Sequence, residues 1–157
     1  MTNPIKDIDF PVNWKIERFK NLVTRTKNRF TGIENLLSVY LEKGVIPFNE
    51  GGADRVHNPS EDLSKYQKVN IGDFVMNNQQ AWRGSVGISG YEGVVSPAYY
   101  VYKLSPQIDI QFAKHLLRSH LMVLQYDYVS GGVGTIQRNL DEDALNNVLV
   151  PVPPLDE

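Results

Sequence analysis

Residues 72–104 read GDFVMNNQQAWRGSVGISGYEGVVSPAYYVYKL, and the fold depends on how this run is parsed. Phe74-Val75-Met76 is a short apolar run that opens after Gly72-Asp73. Ser85 to Ser89 alternates small polar and apolar residues, and Val94 to Leu104 is rich in β-branched and aromatic side chains. With Gly, Asn and Gln at the joints, the pattern predicts three strands folded back on one another.

The first joint is the unusual part. Four consecutive amides, Asn77 to Gln80, are followed by Ala81, Trp82 and Arg83. Amides present donor and acceptor together, and Arg presents a rigid fork of donors. That inventory suits the edges of DNA bases in the major groove. Asn is also an ordinary turn former and Trp an ordinary core residue, so the same residues read as architecture too.

The chain has 157 residues, enough for one domain with one core. Its 41% hydrophobic and 22% charged residues are those of a soluble globular protein. No cysteine is present, which excludes disulfide frameworks and thiolate metal sites. The N-terminus is polar and no apolar run is long enough to span a bilayer, so the expected location is the cytoplasm. The formal net charge is −2, whereas a stand-alone DNA binder is usually clearly basic. The charge is uneven, however. Lys15, Arg18, Lys20, Arg25, Lys27 and Arg29 stand against Glu17 alone between Phe10 and Gly32. This basic run reads either as a solvated surface or as phosphate contacts that position the domain without reading sequence.

Phe10-Pro11-Val12-Asn13-Trp14 predicts an opening turn, with Pro11 fixing the backbone angle. Trp14, Ile16, Phe19 and Leu22-Val23 then fit a short amphipathic strand and a short helix equally. Leu37 to Glu42 alternates in period two, and Gly44 precedes Val45-Ile46-Pro47; this reads as strand, turn and strand, with a helix over 33–43 as the competing reading. Asn49 to Ser64 is polar, with a lone His57, and reads as a surface loop. After Leu104, Asp109 can cap a helix, and Phe112, Leu116, Leu117, Leu121, Leu124 and Tyr128 recur at helical spacing. His115 and His120 are five apart and share no face, so they make no metal pair. A second glycine-rich joint comes next, residues 128–140. Acidic Asp141, Glu142 and Asp143 suit the start of a short helix, and Val148-Leu149-Val150 suits a final strand.

These pieces resemble, in order and spacing, the target recognition domain of the specificity (S) subunit of type I restriction–modification enzymes. The resemblance rests on Gly72-Asp73-Phe74-Val75 with Asn77, on Trp82 with Gly84, and on Val94-Val95-Ser96-Pro97-Ala98-Tyr99. It extends to the Pro11–Trp14 opening, the Gly-rich turn before Gln137 and Asn139-Leu140, and the closing Pro153-Pro154-Leu155 with its acidic tail. Leu37-Ser38-Val39 followed by Gly44-Val45-Ile46-Pro47 occurs at the same place in the family and decides for the strand. The departure is Gln79-Gln80, which stands where basic or Met-rich content is common.

The resemblance implies a non-catalytic subunit. Its two recognition domains each read half of a split DNA target, and conserved helices dock two adenine-methyltransferase (M) subunits, to which restriction (R) subunits add. In such proteins a long helix begins where this chain stops, so the sequence reads as the N-terminal half of an S subunit, residues 1–157 forming a single recognition domain. The expected fold is α/β (α+β): a twisted, mostly antiparallel sheet with one main helix and a short C-terminal helix. Asn78, Gln79, Gln80 and Arg83 are the first candidates for base-edge contact with double-stranded DNA, and Thr135, Gln137 and Arg138 the second. Lys20, Arg25, Lys27 and Arg29 are the phosphate candidates.

Enzymatic readings find little support. No lysine has Asp or Glu two residues before it, as a common metal-dependent nuclease needs. Val152 and Leu155 flank Pro153-Pro154 where an amino-methyltransferase needs Asn or Asp and an aromatic. No Gly-Lys occurs for a phosphate loop, Gly132-Val133-Gly134 lacks the third dinucleotide-binding glycine, and no Gly-x-Ser-x-Gly elbow is present. No catalytic residue, metal site or cofactor is expected. Two rival classes remain: an enzyme gripping a nucleotide phosphate with the Gly131–Arg138 turn, and a protein-interaction module without DNA contact.

Overall fold

The computed structural model describes residues 8–29, 35–48, 64–131 and 139–155. Strand β1 (Lys15–Arg18) leads through a 3-10 turn (Phe19–Asn21) into β2 (Val23–Arg25). Strands β3 (Leu37–Tyr40), β4 (Gly44–Pro47) and β5 (Gln67–Val69) come next, and then β6 (Phe74–Asn77). A second 3-10 turn, Ala81–Arg83, precedes β7 (Val86–Ile88), β8 (Gly93–Val95) and β9 (Tyr99–Leu104). Helices α1 (Ile110–Leu116) and α2 (His120–Tyr128) succeed them. The chain closes with β10 (Ser130–Gly131), β11 (Asn139–Leu140), α3 (Glu142–Asn146) and β12 (Leu149–Val152).

The centre is a four-stranded antiparallel sheet in the order β2-β9-β6-β7. Tyr102 stands opposite Phe74 and Arg25, and Tyr99 opposite Asn77. Because side chains alternate across a strand, β9 serves two cores. Tyr102 faces the helices with Phe19 and Phe74; the Phe19 and Tyr102 rings meet edge-on at 5.3 Å, and Phe74 stacks on Tyr102 at 6.3 Å. Ala113, Leu117, Met122, Tyr126 and Leu145 from the three helices complete that core. Tyr99 and Val101 face the other way with Val75. There Leu37, Val39 and Val45 from the β3–β4 hairpin, and Val69 and Val95 from the β5–β8 pair, cover them. The tyrosines that alternate in sequence thus divide between two layers, and burial holds ionisation of Tyr102 and Tyr126 far above the ordinary tyrosine range.

Two features depart from the sequence-based expectation. Val94 to Leu104 is two strands rather than one. Tyr99 N–H bonds back to Ser96 O (3.0 Å) and Ala98 N–H to Ser96 Oγ (3.2 Å), turning the chain at Pro97. Thus β8 pairs with β5 while β9 enters the central sheet, and buried Gln67 pins the corner by donating to the Ser96 and Tyr99 carbonyls. The main helix is likewise two helices. Ser119 caps α2 by accepting from Met122 N–H (3.4 Å), as Asp109 caps α1 by accepting from Phe112 N–H (3.0 Å). The break rotates the buried face: Met122, Gln125 and Tyr126 point inward, whereas Leu124 and Tyr128, expected inside, are exposed. At the start, where strand and helix fitted equally, the chain forms a strand that pairs with β12, Ile16 opposite Pro151.

The opening turn is present, with Trp14 N–H bonded to Pro11 O (2.9 Å) and the Trp14 ring edge-on to Phe112 at 5.7 Å. Gly72-Asp73 is scaffold. Gly72 has φ +94° and Asp73 Oδ2 accepts Asn70 N–H at 2.9 Å, in a pocket whose burial pushes that carboxyl up from the usual range. The loop at 49–63, with His57, lies outside the described residues.

Candidate nucleic-acid interface

The amide joint is a compact double turn. Gln80 N–H bonds to Asn77 O (3.0 Å) and Gln79 N–H to Asn77 Oδ1 (3.1 Å), so Asn77 closes the first turn. Arg83 N–H then bonds to Gln80 O (3.0 Å) and Gly84 N–H to Ala81 O (2.9 Å). Gly84 ends the turn at φ +103°, with Val123 of α2 and Leu41 close against it. Buried Ala81 anchors the underside. The Trp82 indole N–H donates to Gln79 O (3.1 Å), so Trp82 braces the joint.

What the joint offers to solvent is narrower than its sequence. Gln79 and Gln80 are half-buried and Arg83 is exposed. The Arg83 guanidinium lies 5.8 Å over the Trp82 ring and, among the described residues, makes one long side-chain bond, 3.4 Å, to Gln80 Oε1. Among the described residues, most of its fork therefore has no partner. Asn78 faces inward: its Oδ1 is buried with no hydrogen-bond partner among the described residues, and its carbonyl accepts Leu140 N–H at 3.1 Å.

That last bond joins the two candidate joints. Ser130 and Gly131 pair with Leu140 and Asn139, so the base of the second glycine-rich turn rests on the first joint. Thr135, Gln137 and Arg138 themselves lie outside the described residues. Ser85, at the exit of the first joint, is buried and donates from Oγ to Val39 O at 3.2 Å. Ser85→Ala is expected to cost roughly 1 kcal/mol, because it strands that carbonyl, and a denaturant titration measures it.

The basic run divides. β9 begins at Tyr99, opposite Asn77, so the joint leaves the sheet at that end. β2 runs antiparallel to β9, and past Arg25 it continues to the same end: Thr26 N–H bonds to Val101 O (2.9 Å), and Asn28 O accepts Lys68 N–H (2.9 Å). Lys27 and Arg29 are exposed there, and Arg29 also donates to Lys65 O at 2.8 Å. Lys20 precedes Val23, which pairs with Leu104, so it sits at the opposite end. Arg25 is engaged: it pairs with Glu142 at 2.7 Å and lies 4.2 Å over the Tyr100 ring. Lys65 and Lys68, absent from the sequence-based candidates, are brought beside this edge by the β5 pairing; nothing in their local sequence marks them. Among the described residues, no group of three or more His, Asp or Glu could hold a metal ion, and no helix is long and apolar enough to cross a membrane.

No known family pattern and no curated protein matches the chain. Solved structures do. A chain from work on complex assembly and conformational transition of the type I R-M system superposes with a TM-score of 0.58 and 17% identity, over 96% of this chain and 37% of its own length. The HsdS subunit from Thermoanaerobacter tengcongensis gives a TM-score of 0.54 and 16% identity, over 96% and 36%. The fold is that of an HsdS target recognition domain. The type I restriction–modification S subunit from M. genitalium agrees, with a TM-score of 0.55, 15% identity and coverage of 96% and 37%. The chain thus spans little more than a third of the length of these HsdS-type proteins. At such identities the likeness carries the recognition-domain scaffold and leaves the joint residues to be argued from their own geometry.

Proposed function

We propose that this chain is a DNA target recognition domain of a type I restriction–modification S subunit. It is non-catalytic and reads one half of a bipartite double-stranded target through the major groove. In the whole assembly it directs M and R subunits, through helices outside this chain. Gln79, Gln80 and Arg83 meet base edges, with Asn78 bracing them, and Thr135, Gln137 and Arg138 are further candidates for base contact. Lys27 and Arg29 hold phosphates on one side, and Lys20 takes a more distant one.

The observation that carries this reading is convergence. In a recognition-domain fold, the amide joint, the root of the glycine-rich turn and the basic segment after β2 all leave the central sheet at the Tyr99 end. Exposed donors flanked by cations are what major-groove reading needs. The slight net negative charge agrees with a reader held on DNA by larger partners, and implies weak, salt-sensitive binding on its own. Anisotropy titrations of a labelled duplex across a salt series test it. Lys27→Ala is expected to weaken binding to every duplex alike and to flatten the log–log salt slope by about 0.9. A loss confined to certain sequences would instead make Lys27 a reader, and no binding to any duplex at low salt would defeat the proposal.

A further inference from the structure

Resting on that reading, we infer that Glu142 is an intramolecular stand-in for a phosphate, holding Arg25 back from DNA of the wrong sequence. Arg25 sits where the basic segment leaves β2, opposite Tyr102, and its guanidinium covers Tyr100. Tyr100 stands opposite Met76, the residue before Asn77. Glu142 lies two residues past Leu140, whose N–H is bonded to Asn78 O. The pair is therefore tied to the root of the reading joint from both sides.

Its geometry is that of a charge held in readiness. The 2.7 Å bond is a short charge-assisted one. The aromatic face below fixes the guanidinium plane, and Arg25 Nε is buried, so the group is wedged rather than swinging. The Arg25 and Glu142 side chains remain 28% and 38% exposed, so an approaching phosphate can reach them. To use Arg25, a phosphate must displace a carboxylate that also repels it. A duplex held in register by base contacts can enforce that exchange, whereas one held by phosphates alone cannot. Specificity rises through a repulsive element rather than a new attraction.

The test measures affinity of the chain for a duplex lacking the preferred sequence, across a salt series. Glu142→Gln is expected to tighten this non-specific binding several-fold and to steepen the salt slope by about 0.9, one phosphate contact. Asp143→Asn removes the same charge one residue along, from an exposed carboxylate, and is expected to change the slope little. Arg25→Met is expected to abolish, in the double variant, the gain from Glu142→Gln. Equal effects of the two carboxylate substitutions, or a gain that persists without Arg25, overturn the inference while leaving the DNA-reading function standing. A wild-type chain that binds no duplex overturns both.

Discussion

Gly93→Ala is expected to destabilise the fold by about 3 kcal/mol or more. Gly93 opens β8 opposite Val69, and an added Cβ would lie 2.4 Å from Asn35 O, 2.6 Å from Leu37 Cγ and 2.9 Å from Leu37 Cδ1. Neither neighbour can retreat. The Asn35 carbonyl is held by Val94 N–H at 2.9 Å, and Leu37 is buried in the core beneath the central sheet. Overpacking typically costs about 1–3 kcal/mol, and a clash with backbone and core together belongs at or above the top of that range. About 3 kcal/mol is a large part of the stability of a domain this size, and lowers the melting temperature by roughly 6–12 °C. Thermal denaturation followed by circular dichroism reads it; a melting temperature within about 2 °C of wild type, less than a 1 kcal/mol change produces, would contradict the close approach of the β3 and β8 segments.

Arg83→Ala is expected to erase discrimination at one base pair and leave the fold intact. Arg83 is exposed, and its side chain bonds Gln80 and lies over the Trp82 ring. A bidentate guanidinium contact to a guanine edge contributes about 1–3 kcal/mol of discrimination. Removing it should flatten preference at the contacted position and preserve the ratios at the others. Arg83→Lys should restore charge without restoring selectivity, because an ammonium lacks the planar fork. Titrations against single-base-pair variants at one salt concentration separate the cases, and an equal loss on every variant would assign Arg83 to the phosphate backbone.

Strands β6 and β7, the β3–β4 hairpin and the starts of α1 and α3 were legible because each announces itself locally. Phe74-Val75-Met76 is bounded by turn residues, Leu37 to Pro47 alternates around Gly44, and Asp109 and Asp141 cap the helices that they precede. The features that escaped local reading depend on partners far along the chain. Ser119 is an unremarkable serine until its cap divides the helix, which Arg118 then ties to the Leu41 and Glu42 carbonyls. Gly93 resembles an ordinary turn glycine until Leu37 packs against it. The candidate site obeys the same rule. The exposed Arg83 and the turn-forming role of Asn77 are local, whereas the engagement of Arg25 by Glu142, 117 residues away, has no trace in either neighbourhood.

The most direct measurement of whether these joints read sequence is selection from a pool of randomised duplexes at low salt, followed by sequencing of the bound fraction. The expected result is enrichment of one short contiguous block of base pairs, with Arg83→Ala losing the preference at a single position inside it. A bound fraction with the same base composition and order as the starting pool, at every salt concentration that permits binding, would contradict the assignment.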